Sequence, residues 1–321
     1  MNNNPELQQL LPQLRVILPV ICGPESTAVS IADFTGPDIE KLIALTEKHR
    51  VTPLFFRNIN KNPGDFAPEP LSRLRELTKE HTLKALSLQS QLLAICSAFN
   101  NRGISYLAIK GPQLSHQLYS DAAVRVCVDL DFFLENKSEL MAASEALYSL
   151  GFKVTNLPEE KSGLKFFIFK TGKHETTFFN KNTRTYVDLH FRPVGNSVFS
   201  ARYHRLIFTG KQNYTMYNTG ITVPSDEDYF LFLCQHGAAH QYGSLHWLAD
   251  AFAFYHRYNF SADTLMKRAS VLRLTTHLKL TLILLNRLCG ATVPEELIRE
   301  YERSRLLRKL FRVCVHSINR T

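Results

Sequence analysis

The chain of 321 residues is 45% hydrophobic and 21% charged, which excludes a wholly disordered or fibrous protein. Lys and Arg number 38 against 29 Asp and Glu, and the net charge of +9 favours acidic partners such as nucleotides, nucleic acid or anionic surfaces without choosing among them. No run approaches the roughly 18 uninterrupted apolar residues of a membrane helix. The start, Met1-Asn2-Asn3-Asn4-Pro5, has neither the basic region nor the apolar core of a signal peptide. The cysteines Cys22, Cys96, Cys127, Cys234, Cys289 and Cys314 lie far apart with no CxxC pair, which suits neither a zinc ribbon nor a disulfide-dense secreted fold. A cytoplasmic protein with reduced, mostly buried thiols and no membrane partner is expected.

The first hundred residues read as helices. Thr35-Gly36-Pro37-Asp38 is a helix start, with Pro tolerated and an acid favoured in the first turn, and Ile39, Leu42 and Ile43 follow at helical spacing. A loop rich in Pro, Asn and Gly spans 58–70, and a long helical pattern over 70–100 carries Leu71, Leu74, Leu77, Leu83, Leu86, Leu88, Leu92 and Leu93. The texture changes at Gly103. Strands are expected over 104–109 and 127–134, a helix over 113–119, and another over 137–150 ending at Gly151. Three β-rich runs at 164–170, 175–180 and 185–191 have short polar spacers that favour antiparallel hairpins, and a shorter pair sits at 213–217 and 220–223. Helices return at Ser225-Asp226-Glu227-Asp228, a capping-box-like start, and continue to the end. The expected architecture is α+β: a helical segment at 1–102, a mixed or antiparallel sheet core at 103–224, and a helical domain at 225–321.

The most informative stretch is Val128-Asp129-Leu130-Asp131-Phe132. Alternate side chains of a strand share a face, so Asp129 and Asp131 point the same way, about 7 Å apart at the backbone, with Val128, Leu130 and Phe132 toward the core. Such a pair is either an exposed strand edge or a seat for a hard divalent cation that relieves the repulsion. Tyr186-Val187-Asp188-Leu189-His190 is a second strand carrying one acid. Lys110-Gly111 closes the strand before the pair and begins a turn into a helix, a place where backbone N–H groups can meet phosphate and Lys110 adds charge. Pro112 fits the first helical turn but contributes no N–H.

On these residues the chain resembles the polymerase-β-like nucleotidyltransferases, and more closely the branch described as uncharacterised nucleotidyltransferases. The resemblance runs through Ala108-Ile109-Lys110-Gly111, the segment from Arg125 to Asp131, and Val187-Asp188-Leu189-His190. It continues in His236-Gly237-Ala238-Ala239-His240, in Leu245-His246-Trp247-Leu248-Ala249-Asp250 and in the earlier His49-Arg50-Val51-Thr52-Pro53-Leu54. Gly111-Pro112 stands where the wider superfamily has Gly-Ser or Gly-Gly. The resemblance implies transfer of a nucleoside monophosphate from an NTP, ATP by default, to a hydroxyl-type acceptor (RNA, protein or small molecule) with loss of pyrophosphate. Asp129, Asp131 and Asp188 would hold two Mg²⁺ or Mn²⁺ ions, with Asp188 also helping to deprotonate the acceptor. Lys110, Gly111 and Arg125 would contact the triphosphate.

Two other classes fit parts of the pattern. Asp-x-Asp also serves glycosyltransferases that bind a metal and a nucleotide-sugar diphosphate, although the Lys-Gly turn, the third acid and the few β/α alternations speak against a Rossmann-like half. A catalytically silent nucleotidyltransferase fold that binds a partner or nucleic acid is the non-enzyme alternative.

His236 and His240 share a helix face at i,i+4 spacing. Without the Glu of a metalloprotease motif or a nearby Cys, they read as a polar patch between helices or as cleft residues touching nucleotide or acceptor. Asp250 could orient a partner there and Trp247 could stack on a base or fill the core. From Arg299 to Arg320, seven basic residues face two acids, Glu300 and Glu302, for a net +5. That tail is either a solvated helix face covering Leu306, Leu307, Leu310 and Phe311 or an electrostatic dock for RNA.

Overall fold

The computed structural model describes residues 6–23, 37–61, 67–155, 175–191 and 198–320. The chain divides into two compact units, Met1–Thr82 with Val124–Val126 and Tyr229–Thr321, and Leu83–Ala123 with Cys127–Asp228. Sequence order separates the N-terminal helices from the C-terminal ones, but the first unit joins them. The helix α1 (Pro12–Cys22) buries Leu14, Ile17, Leu18 and Ile21, and it packs on α9 (Leu245–Tyr258) and α11 (Thr275–Cys289), some 230 residues further on. The same unit holds α2 (Pro37–Lys48), α3 (Thr52–Ile59), α10 (Ala262–Val271), α12 (Glu295–Arg303) and α13 (Arg305–Asn319).

The expected loop over 58–70 is shorter in the structure, because α3 runs through Ile59 and α4 (Pro68–Asn101) starts at Pro68, a residue compatible with a first helical turn. The long α4 passes from one unit to the other after Thr82. Leu74, Leu88 and Leu92 are buried as the periodicity requires, whereas Leu83 and Leu86, beside that crossing, are exposed.

The second unit is built on a mixed five-stranded sheet of order β1-β2-β5-β4-β3: β1 (Tyr106–Ile109), β2 (Asp129–Leu134), β3 (Lys153–Val154), β4 (Glu175–Asn180) and β5 (Thr185–His190). β1 and β2 are antiparallel, β2 and β5 parallel, and β4 pairs antiparallel with both β5 and β3. The 175–180 and 185–191 runs thus form the expected hairpin, while the 164–170 run lies outside the described residues. Helices α5 (Gly111–Tyr119), α6 (Glu139–Ser149) and α7 (Val198–Thr209), and the hairpin β6 (Gln212–Met216) and β7 (Thr219–Val223), complete the unit. Helix α7 was not expected from the sequence, where the i,i+4 pairs Tyr203/Ile207 and His204/Phe208 mark its buried face.

Phe99 from α4, Tyr106 from β1 and Phe132 from β2 meet edge-to-face at 5.3–5.8 Å between ring centroids, which fixes the apolar side of the sheet. Leu130 and Phe132 lie on that side as expected. Val128 does not. It is 54% exposed, because β2 begins one residue later at Asp129 and the strand alternation does not yet hold there. The α8 helix (Asp226–Ala239) starts on the predicted cap, with the Asp228 N–H donating to Ser225 Oγ at 3.3 Å. All six cysteines are buried and outside any disulfide, and among the described residues no helix is long and apolar enough to cross a membrane.

Candidate active site

Strand register assembles the acids. Asp131 has Ile109 of β1 as its partner on one side and Asp188 of β5 on the other. The residue after Ile109, Lys110, takes φ 59° and ψ −143°, a region that residues with a Cβ rarely occupy, and Gly111 follows at φ 61°. These two residues turn the chain from β1 into α5. Lys110 Nζ lies 2.9 Å from Asp131 Oδ2, at the end of that turn. From the other side His190, two residues beyond Asp188 and so on the same face of β5, donates from Nε2 to Asp131 Oδ1 at 2.9 Å. Its Nδ1 is 3.2 Å from Glu175 Oε2 on β4.

The electrostatics follow from this sandwich. Burial pushes the Asp131 carboxyl up, but the Lys110 charge and the His190 hydrogen bond outweigh it and hold the group well below the usual carboxylate range. Burial opposes the charged form of His190 as well, yet Asp131 and Glu175 raise its pKa to about 9, so it is an imidazolium at neutral pH. Asp188 moves the other way. Burial raises its pKa, as do the nearby charges of Asp131 and Glu175, against a hydrogen bond from Thr177 that lowers it. Asp188 Oδ1 is buried with no hydrogen-bond partner among the described residues.

A hard divalent cation fits this donor set. The face of β2 and β5 presents the carboxylates of Asp131 and Asp188, the ligand type that Mg²⁺ and Mn²⁺ take, beside the His190 imidazole, and one buried carboxylate oxygen has no donor among the described residues. Asp131 keeps acceptor capacity beyond its bonds to Lys110 and His190, since a carboxylate has about four lone-pair sites. Among the described residues no three acid, His or Cys side chains already converge on one point, and Asp131 is bonded to Lys110 and His190.

Arg125, His236 and His240 belong to the other unit. Arg125 Nε donates to both oxygens of Asp250, at 2.8 and 3.1 Å, and the pair is buried at 8% and 2% exposure. Asp250 therefore holds a guanidinium. His236 and His240 are near neighbours at 4.8 Å between centroids, with His240 just past the end of α8. The ring of Trp247 stacks on His240 at 4.8 Å, and Trp247 is half-buried while His240 is exposed.

The remaining motif residues are structural. His49 is fully buried and caps α9: its Nδ1 accepts from the Leu245 N–H at 3.2 Å and its carbonyl accepts from the His246 N–H at 3.2 Å and the Ser244 hydroxyl at 2.9 Å. Burial, and secondarily the charge on Lys48, lowers its pKa to about 4 and keeps the accepting nitrogen unprotonated. Gly237 is required because a Cβ there would overlap the ring of the buried Tyr242, whose hydroxyl meets Thr281 Oγ1 at 2.6 Å.

Sequence reasoning gave His190 no role, although its place two residues after Asp188 put it on the acid face; Glu175, opposite it on β4, was also missed. A mixed sheet with acids paired across adjacent strands, behind a strand–turn–helix with Lys-Gly, defines a nucleotidyltransferase-like α+β protein. Residues 35–290 match the family described as uncharacterised nucleotidyltransferase, and the chain belongs to that family. Comparison with curated proteins finds no match.

Proposed function

We propose that this protein transfers a nucleoside monophosphate from a nucleoside triphosphate, ATP in the simplest case, to a hydroxyl-type acceptor. The observation that carries this reading is the register of Asp131 beside Asp188, with Asp188 Oδ1 buried and without a hydrogen-bond partner among the described residues. Family membership supports it. Asp129, Asp131 and Asp188 would hold Mg²⁺ or Mn²⁺, which, when bound, neutralise charge on the attacking and leaving oxygens of an in-line displacement. The acceptor oxygen bonds to the α-phosphorus, the bond from that phosphorus to the bridging oxygen breaks, and pyrophosphate leaves with the electron pair. Asp188 would also help to take the acceptor's proton.

Lys110 is the cation for the triphosphate, with Asp131 keeping its ammonium in place. Gly111 offers the first N–H of α5, the helix end that favours anions, whereas Pro112 has none to offer. Arg125, which the resemblance implies as a triphosphate contact, is held by Asp250. His236 and His240, with Trp247, give the other unit an aromatic face for a base or an acceptor.

The test is incubation with each α-labelled NTP and Mg²⁺, with and without cell extract, followed by mass analysis of the labelled product. Transfer of label with release of pyrophosphate is expected, and Asp129→Asn should abolish it while leaving the circular dichroism unchanged. Full transfer by Asp129→Asn, or turnover of a nucleotide-sugar with none of any NTP, would overturn the reading.

A further inference from the structure

The strongest feature outside the acid site is the exposed face of α13. Arg305, Lys309, Arg312, His316 and Arg320 are all exposed, and their spacing of three or four residues puts them on one narrow helical stripe. At 1.5 Å per residue the stripe is about 22 Å long. Among the described residues no acid pairs with Arg305, Lys309, Arg312 or Arg320; Arg312 Nε only reaches back to the Arg308 carbonyl at 3.4 Å. The preceding helix is the internal contrast. In α12, Arg299 has Glu295 and Glu296 beside it on its own helix, at 3.7 and 3.5 Å.

Helix stability accounts only for the C-terminal end of the stripe, where Arg320 suits the helix dipole. Arg305 and Arg308 sit in the first turn of α13, where cations oppose the helix dipole and where the helix has no acid. The cap is supplied by Ser304, whose Oγ accepts from the Leu307 N–H at 3.2 Å. Packing does not account for the rest. The apolar face, Leu307, Phe311, Cys314, Val315 and Ile318, is already buried, and Asn319 ties the helix end to the Leu11 N–H and the Gln9 carbonyl at 3.0 and 2.7 Å. The helix is thus fixed on one side and presents unpaired cations on the other.

We infer that this stripe binds the phosphodiester backbone of a nucleic acid. A rigid row of cations about 22 Å long is long enough for its four Arg and Lys side chains to meet successive phosphates of one strand. Leu306 and Val313 are the only large apolar side chains exposed along it, and neither is aromatic, so the contact is to backbone rather than to bases. An anionic membrane is the poorer match, because an interfacial helix buries a broad apolar face in lipid and that of α13 is spent inside the protein. The stripe lies beyond residue 290, where the family match ends.

The test needs no turnover, so it stands apart from the transferase reading. Fluorescence anisotropy with a labelled 20-nucleotide mixed-sequence RNA is measured from 50 to 200 mM KCl, without NTP. Four contacts predict a slope of log K against log salt of about −3. Lys309→Glu with Arg312→Glu should weaken binding at 50 mM at least tenfold and flatten the slope. Arg299→Glu, in the compensated helix, should change it less than twofold. Both variants are at exposed positions, and unchanged circular dichroism verifies their folding. No RNA binding at 50 mM, equal binding by the double variant, or capture by phosphatidylserine vesicles in preference to RNA would overturn the inference.

Discussion

Asp188 and Asp131 are partners across two parallel strands, yet the protein treats their charges in opposite ways. Asp131 is held between Lys110 and His190, and its negative charge is compensated on both oxygens. Asp188 has one buried oxygen with no donor among the described residues and faces the charges of Asp131 and Glu175. Opposite stability effects follow for two substitutions a strand apart. Asp188→Asn should stabilise the protein in EDTA by about 1 kcal/mol, since it removes a partly buried charge that faces two other carboxylates. Asp131→Ala should destabilise it by about 3 kcal/mol, because two cations are left buried without their anion. Urea denaturation in EDTA measures both, and destabilisation by Asp188→Asn would show that this carboxylate is satisfied in a way the geometry does not display. Adding Mg²⁺ should reverse the order for Asp188, with wild type gaining stability that Asp188→Asn does not.

One element in each unit turns on one glycine. At the β1–α5 turn, Gly111 sits at φ 61°, and a methyl group added there would meet only ordinary van der Waals contacts, so Gly111→Ala is a purely conformational change. It should cost about 1–2 kcal/mol and misplace Lys110. In α8, Gly237→Ala is a steric change against the Tyr242 ring, and it should cost about 2–3 kcal/mol. Thermal melts rank the two, and a Gly111→Ala variant as stable as wild type would mean that the turn relaxes. These elements also mark what the sequence made legible. Period-2 alternation placed Asp129 and Asp131 on one face, and the Lys-Gly dipeptide marked the turn, because both are local signals. The hairpin spacing of 175–180 and 185–191 was equally local. What local pattern hides is that β5 inserts between β2 and β4, and that parallel adjacency is what brings His190 to Asp131. Arg125 is the same lesson. The resemblance implies a triphosphate contact for it, and the structure adds a bond from its Nε to Asp250, 125 residues later, that no local pattern signals.

Across the whole molecule, two buried histidines set the limits of pH stability from opposite sides. His49 must stay neutral to accept the Leu245 N–H, and its pKa in the folded protein, about 4, lies below the ordinary 6.5. The unfolded chain therefore binds the extra proton first. Stability from His49 is complete above about pH 6.5 and is lost progressively down to about pH 4, a change on the order of 3 kcal/mol. His190 must stay charged to hold Asp131, and its pKa is raised to about 9. Its contribution is complete below about pH 6.5 and is lost as pH rises through about 9. Stability in EDTA should therefore peak near pH 6.5, with His49→Gln flattening the acid limb and His190→Gln the alkaline one. Trp247, the single tryptophan, lies in the same compact unit as His49, so its fluorescence is the probe for the acid limb. Far-UV circular dichroism follows the alkaline limb, since the sheet that His190 braces is in the other unit. A peak that stays put in both variants would remove the histidines as its cause and leave the carboxylates of the acid site to explain it.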